Sequence, residues 1–583
     1  MKESLQDTVV PRGYRIAAYL ILLAALLVPR LFQLDQFVAV DEVNWLHRSA
    51  NFYSAFMSGE YSGTFVNRTP GVITTWIESA AFRIEMPYYG ISKEAQRTHY
   101  AIFELSLTEL DRHPMEILYV ARVLMVLFLA GVLMSGFYYA VRLFGLVPAF
   151  IGFLLIAVDP FLTALSRISH LDAPQATLMV LSLLAFSSFL FVEDRIFDLI
   201  VSGAAGGMAL LAKLPGVFIL PVIFLLAGVQ LWQTQRGGQK ISFHEVRRSI
   251  SSLVIWGLVF GLVFFALWPA MWVQPIDTIS KVFIQALRYS STAAETVGLG
   301  QISIPDDSDT FGGLSITEPD YSLAYFLRYP IFFLWRVTPI VLLGILLFIF
   351  FSLRIKPVNH RWTRGLAGIW ILILIYTIGM TLPWKSSDKY YAPVFLLACL
   401  VAGIGWYSLY VFLGQKTRKN HYGAALLGIV FVGQLLMSLN HFPYYFTYFD
   451  PLMGGTAGAS QTRTIGVGEG LDIAGRYLNA IPDSDELRVM SWYGIGPFSY
   501  FFDGQVKAVY DVTEELWTPE FVETLEHMDY LVIYTNQKFR HRPSRLFELL
   551  EDVTPIYTVN LHGAEYAWIY KTRDIALDHE SWD

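Results

Sequence analysis

Eleven separate stretches of this chain are apolar over close to twenty residues, the length a helix needs to cross a bilayer core. They run 14–33, 115–138, 147–165, 173–192, 196–213, 215–232, 250–273, 329–353, 365–383, 390–413 and 422–439. Hydrocarbon offers no partner to a backbone N–H or C=O, so each such stretch must be helical. The bulk composition agrees. Charged residues make up 16% of the 583 residues and hydrophobic ones 54%, against about 25% charged in a soluble domain. The expected fold class is a polytopic all-α membrane protein of about eleven transmembrane helices. The first stretch follows Lys2, Arg12 and Arg15 and lacks a small-residue cleavage site, so it is expected to be an anchor. A net charge of -7 gives no basis for a nucleic-acid partner. The single cysteine, Cys399, lies in an apolar run, which excludes an intrachain disulfide and a thiolate zinc cluster.

An odd number of spans places the two termini on opposite sides, and the positive-inside rule chooses between them. With the N-terminus in the cytoplasm, the inward connections carry Arg142, then Arg236, Lys240, Arg247 and Arg248, then Arg354, Lys356, Arg361 and Arg364, and finally Lys416, Arg418 and Lys419. The segment 274–328 is acidic and falls outside. The expected location is the plasma membrane, with the C-terminus extracytoplasmic. Residues 34–114 and 274–328 then form outer loops of a membrane module 1–439, and residues 440–583 form an extracytoplasmic domain.

Within the first outer loop, Trp45, Leu46, Phe52, Tyr53, Phe56 and Met57 recur at helical spacing, opposite His47, Arg48 and Asn51. This predicts an amphipathic helix lying at the bilayer surface; 71–83 and 276–289 repeat the pattern. The tail is different. Short β-type runs at 487–493, 506–512, 530–535 and 564–571 alternate with helical patterns near 469–481, 518–528 and 543–551, which predicts a small α/β domain. Its "GVGEG" at 466–470 lacks the glycine spacing of a dinucleotide fingerprint and reads as a flexible connection.

Charge in or beside a membrane span is costly, so it needs a reason. By this topology the outward side collects Asp41 and Glu42, Arg68, Arg167 with His170 and Asp172, Lys213, and Lys385 with Asp388, Lys389 and Tyr390. Each has an ordinary explanation. Acidic residues favour a helix N-terminus, long cations snorkel to headgroups, and a histidine is more often a hydrogen-bonded structural group than a ligand. Asp306, Asp307 and Asp309 read as a solvated loop. Taken together, however, carboxylates beside cations make a familiar kind of chemistry. A carboxylate can take the proton of an attacking hydroxyl, while lysine and arginine stabilise a departing phosphate. The reaction this points to is glycosyl transfer from a lipid-phosphate sugar.

The motifs "VDEVNW", "RTPGVITTW", "LSRISHLDAPQ", "LLAKLPGVFILP" and "DKYYAPVFLLACLVAG" resemble those of the GT-C membrane glycosyltransferases. Among these the likeness is to the bacterial relatives of the protein O-mannosyltransferases and the lipid A aminoarabinose transferases. The resemblance covers residues 10 to about 413 and implies an inverting transfer from a polyprenyl-phosphate sugar to a hydroxyl of a protein, lipid or glycan acceptor. It implies Asp41 as the general base with Glu42 in support. Arg167 and Asp172 correspond to a second motif, and Arg68, Lys213 and Lys389 would face phosphate. His170, Lys385 and Tyr390 complete the substrate-binding set. Some relatives use a divalent metal ion, and the sequence leaves open whether a cofactor of that kind serves here. The sequence departs from the pattern in two places. Arg68-Thr69-Pro70 stands where His or Lys followed by Pro-Pro is usual, and the tail does not resemble a trefoil domain. Two other classes stay open at this level: a transporter or flippase of a lipid-linked sugar, and a scaffold whose tail binds a partner.

Overall fold

The computed structural model describes residues 11–89, 104, 107, 109–236, 242–289, 323–354, 360–383, 386–417, 420–510 and 514–577. Lys385 and the aspartates at 306, 307 and 309 lie outside the described residues. Eight helices among them are long and apolar enough to cross a membrane; two bent helix pairs and the shorter apolar helix Ile196–Ala212 account for the rest of the eleven expected segments.

Among the described residues the first four α-helices are α1 (Arg12–Leu31), α2 (Val40–Ser58), α3 (Val72–Glu85) and α4 (Pro114–Phe144). The helix predicted at the bilayer surface is α2. It packs its apolar face onto protein, chiefly α3, leaving Leu46 and Phe52 with no exposure. The expected span 147–165 is two helices, α5 (Leu146–Ala157) and α6 (Pro160–Arg167), meeting at 63°. The cause is local. Pro160 cannot donate to a preceding turn, and the Asp159 carboxylate caps the new helix by accepting from the Leu162 amide at 2.9 Å.

Helices α7 (Asp172–Phe191), α8 (Ile196–Ala212), α9 (Ile219–Arg236) and α10 (Phe243–Leu267) follow. The apolar window of α7 is 94% buried, so α7 forms the hub of the bundle, with α4, α8, α9 and two later helices around it. Inside this hub Ser182 and Ser202 each donate to the other's carbonyl at 2.8 Å, a polar link between helices of the kind that membrane bundles use. Helix α11 (Pro275–Tyr289) keeps Ile276, Ile279 and Phe283 exposed along one face, as a helix lying at an interface would.

The expected span 329–353 is also two helices, α12 (Leu323–Arg336) and α13 (Pro339–Arg354), bent by 114°. Again a proline opens the second helix, behind Thr338. As a result α12 runs nearly across α13 and carries Arg336 to the end of the bundle where the acidic residues gather. Helices α14 (His360–Thr381), α15 (Ala392–Thr417) and α16 (Asn420–Leu439) complete the bundle.

Beyond α16 come α17 (Gly455–Thr462) and α18 (Leu471–Asn479), then a five-stranded sheet. Its strands are β1 (Arg488–Trp492), β2 (Gln505–Val509), β3 (Tyr530–Tyr534), β4 (Tyr557–Leu561) and β5 (Ala564–Lys571), in the order β2-β1-β3-β5-β4. β1 is parallel to β2 and β3, while β5 is antiparallel to β3 and β4. Four strands fall on the expected runs. The fifth, β4, is the first arm of a hairpin closed through His562 and Gly563, with positive φ at both. The segment 466–470 is not the flexible connection expected of it. The Val40 amide donates to the Val467 carbonyl at 2.8 Å. Gly468, at φ +128°, lies so close to α2 that a Cβ would stand 2.3 Å from the Val38 carbonyl oxygen. The glycines serve close backbone approach and clasp the sheet region onto the start of α2.

Candidate active site

Four chain segments deliver ionisable groups to one end of the bundle. Asp41 sits in the first turn of α2, His170 in the loop before α7, Asp172 at the start of α7, Lys213 at the C-terminal end of α8, and Lys389 ahead of α15. Lys389 Nζ donates to Asp41 Oδ2. His170 bridges the two aspartates, with Nε2 3.6 Å from Asp41 Oδ2 and Nδ1 3.0 Å from Asp172 Oδ2. Lys213 Nζ donates to Asp172 Oδ1 at 2.5 Å and stands 3.8 Å from the centre of the Tyr390 ring. The row continues on the other side. Asp388 accepts from Arg336 Nε at 2.6 Å and from the Lys389 amide at 2.8 Å. Carboxylates and cations alternate along this row, which is the arrangement that keeps partly buried charge tolerable. Asp41 is the open member: its side chain is 40% exposed, against 1% for Asp172 and 16% for Lys389.

Glu42, one residue on, faces a different environment. It is fully buried and accepts from the Arg122 guanidinium through both oxygens, from the Ser169 amide at 2.8 Å and from the Ala39 amide at 2.9 Å. This closes a capping interaction on α2 and ties that helix to α4 and to the loop that carries His170. Glu42 therefore supports Asp41 by holding the elements on either side of it, with no oxygen left for a substrate. Arg122 also donates to the Leu34 and Phe37 carbonyls. Ser169 is held from a further direction, its hydroxyl donating to Glu78 Oε1 at 2.6 Å. Burial pushes the Glu78 carboxyl up to about 8, so at neutral pH Glu78 holds a proton.

Arg167 does not join the row. Its guanidinium donates to the carbonyls of Pro29, Phe32 and Gln33 at 2.6–2.9 Å, satisfying orphan acceptors at the end of α1. Arg68 is half-buried in the turn before α3, where the Thr69 amide donates to Asn67 Oδ1 at 2.7 Å. That Asx turn does the shaping that a second proline would do. Arg68 is in no ion pair among the described residues.

The sheet region closes over this end. Tyr493, directly after β1, is 8% exposed and has φ +52°. Asn536, just beyond β3, donates to its hydroxyl. Burial raises the Tyr493 hydroxyl, Arg540 opposes this, and Asp41 and Lys389 both lie within electrostatic reach. Arg122, Arg336, Glu78, Tyr493 and Asn536 are absent from the sequence reading. A signal existed for the two arginines, since each lies inside an apolar segment where a cation needs a partner. None existed for the others, whose roles depend on distant contacts.

As a metal site the described residues fit poorly. They gather no group of three His, Cys, Asp or Glu suited to an ion, and lysines already neutralise both aspartates. At the opposite end of the bundle Arg142 pairs with Asp198 at 2.5 Å and Arg248 with Asp194 at 2.5 Å.

Residues 108–239 match the family model described as dolichyl-phosphate-mannose-protein mannosyltransferase, a span that contains Arg122, His170, Asp172 and Lys213. No curated protein matches the chain. Among solved structures, ArnT from Cupriavidus metallidurans bound to undecaprenyl phosphate is 14% identical, over 97% of this chain and 99% of that one, with a TM-score of 0.44. The archaeal oligosaccharyltransferase AglB from Archaeoglobus fulgidus, in complex with an inhibitory peptide and a dolichol-phosphate, is 11% identical, over 89% of this chain and 69% of that one, with a TM-score of 0.47. The chain is a multi-span membrane protein whose segment 108–239 is similar to the dolichyl-phosphate-mannose-protein mannosyltransferases.

Proposed function

We propose that this protein is an inverting glycosyltransferase that moves a sugar from a polyprenyl phosphate to a hydroxyl acceptor at the extracytoplasmic face of the plasma membrane. The observation that carries the reading is the row of charges at one end of the bundle, in which one carboxylate, Asp41, stays open beside Lys389 while its neighbours are buried in pairs. In this mechanism the donor phosphate enters between Lys389 and Lys213 and takes Lys389 away from Asp41. The released carboxylate then accepts the proton of the acceptor hydroxyl. The hydroxyl oxygen attacks the anomeric carbon from the face opposite the phosphate, the carbon–oxygen bond to phosphate breaks, and the phosphate leaves with the electron pair. The lysines stabilise the charge that develops on it. His170, between Asp41 and Asp172, keeps the two carboxylates apart and oriented.

Residues 1–439 supply the lipid-facing module and residues 440–583 cover it from the aqueous side. The polar groups sit at one end of the bundle, whereas a transporter places its binding residues near the midplane. The test uses purified protein in liposomes with a panel of radiolabelled polyprenyl-phosphate sugars. Asp41→Asn lowers transfer by about 10²–10⁴ without changing insertion. Full transfer by that variant would remove Asp41 as the base.

A further inference from the structure

The sheet region brings its own polar groups to the Asp41 end of the bundle, and the reaction outlined above leaves them without a task. β1 and β3 are parallel neighbours, and the carboxyl ends of parallel strands are where α/β sheets present ligand crevices. Tyr493 leaves the end of β1 and Asn536 lies just past the end of β3. The segment after Tyr493 rests on α2, with a Cβ on Gly496 falling 2.2 Å from a methyl of Val43, two residues from Asp41. Tyr493 is a bulky residue held in the left-handed region, an uncommon conformation that persists where surroundings impose it. Here its amide donates to the Val509 carbonyl at 3.0 Å and its hydroxyl accepts from Asn536.

Asn536 is 4% exposed, and its side-chain Oδ1 is buried with no hydrogen-bond partner. The next residue, Gln537, has no exposure and leaves both side-chain polar atoms unpartnered. Buried amides without partners are costly and rare in folded proteins. A carboxamide both donates and accepts, as a sugar hydroxyl does. A site built to hydrogen-bond a hydroxyl also discriminates strongly against a ligand lacking it.

We propose that Tyr493 and Asn536, at the carboxyl ends of β1 and β3, form a shelf that reads ring hydroxyls of the donor sugar, opposite the lysines that take its phosphate. This rests on the glycosyl-transfer reading for the identity of the donor. It adds that sugar selectivity resides in the C-terminal region and not in the membrane module.

The test measures binding, so that it does not depend on turnover. Full-length protein in detergent is titrated with bare polyprenyl phosphate and with polyprenyl-phosphate mannose, glucose and galactose, following the thermal unfolding midpoint. The wild-type protein binds at least one sugar-bearing lipid more tightly than the bare phosphate. Asn536→Leu weakens that lipid by about ten- to a hundredfold and leaves the bare phosphate unchanged. Its ligand-free midpoint changes little, because removal of the unpaired carbonyl offsets the lost hydrogen bond to the Tyr493 hydroxyl. Tyr493→Phe, which keeps the ring, shows the same selective loss and serves if the leucine variant folds poorly. The proposal is overturned if wild-type protein does not distinguish the sugar lipids from bare phosphate, or if the variants lose affinity for all four lipids equally. Absence of transfer by a wild-type protein that shows the binding difference would count against the reaction and leave the shelf standing.

Discussion

Asp41 and Glu42 are adjacent in sequence, yet they belong to different parts of the energetics. Glu42 is fully buried and locked to Arg122, so Glu42→Ala leaves a buried guanidinium without its counter-ion. We expect a loss of about 3–5 kcal/mol, read as a large drop in unfolding midpoint and in yield. Asp41 is 40% exposed, so Asp41→Asn costs less stability than Glu42→Ala while lowering transfer by about 10²–10⁴. A comparison of the two variants by thermal unfolding and by radiolabel transfer separates structural from chemical function. Glu78 adds a pH dependence. Its carboxyl is raised from 4.5 to about 8 in the folded protein, so the folded state binds a proton that the unfolded chain gives up. Below the unfolded value both states hold the proton and nothing is lost; stability falls as pH rises through the folded value. Glu78→Gln mimics the protonated form. Its unfolding midpoint should decline less than wild type between about pH 5 and about pH 9, and an unchanged slope would refute the assignment. The sequence marked the Asp-Glu pair, and the resemblance implied Asp41 as base with Glu42 in support, but nothing in it named the partner of Glu42, which lies 80 residues away.

At the scale of elements, hydropathy located all eleven apolar segments but could not tell a straight span from a bent one. Both bends, of 63° and 114°, occur where a proline opens the second helix after a capping residue. Pro160 and Pro339 were visible. What was missing was the knowledge that neighbouring helices would fill the corner and stabilise the break. The glycine segment 466–470 gives a second case. Read locally it is a loose connection; in three dimensions it is the contact through which the sheet region grips α2. Gly468→Ala combines an unfavourable φ with a backbone clash and should cost about 1–3 kcal/mol. It should also make the C-terminal region more susceptible to limited proteolysis. Gly257→Ala is the control, since a Cβ there meets nothing within 4 Å. It lies inside α10, where alanine is favoured over glycine by about 0.5–1 kcal/mol. Equal protease sensitivity in the two variants would remove the clasp.

For the whole molecule, the folded bundle gathers Asp41, His170, Asp172, Lys213 and Lys389 at one end, and pairs Arg142 and Arg248 with acidic residues at the other. In the proposed topology the first end faces the extracytoplasmic side. Cys399 is buried, so Cys399→Ala gives a silent background for labelling. In intact cells a membrane-impermeant maleimide should modify Ser62→Cys and spare Asp194→Cys, both of which are exposed positions. The reverse pattern would place the charge row in the cytosol and end the proposed reaction. The apolar lengths, the sidedness bias and most of the strand pattern were all present in the sequence. They arise from forces that act along the chain, namely the solvation of backbone and side chains in lipid and the two-residue and 3.6-residue repeats of strand and helix. Which ions pair, where the helices break and what the sheet covers came only with folding. Lys389 and Asp41 stand 348 residues apart in the chain, and an ion pair is chosen by distance in space, which no local pattern records.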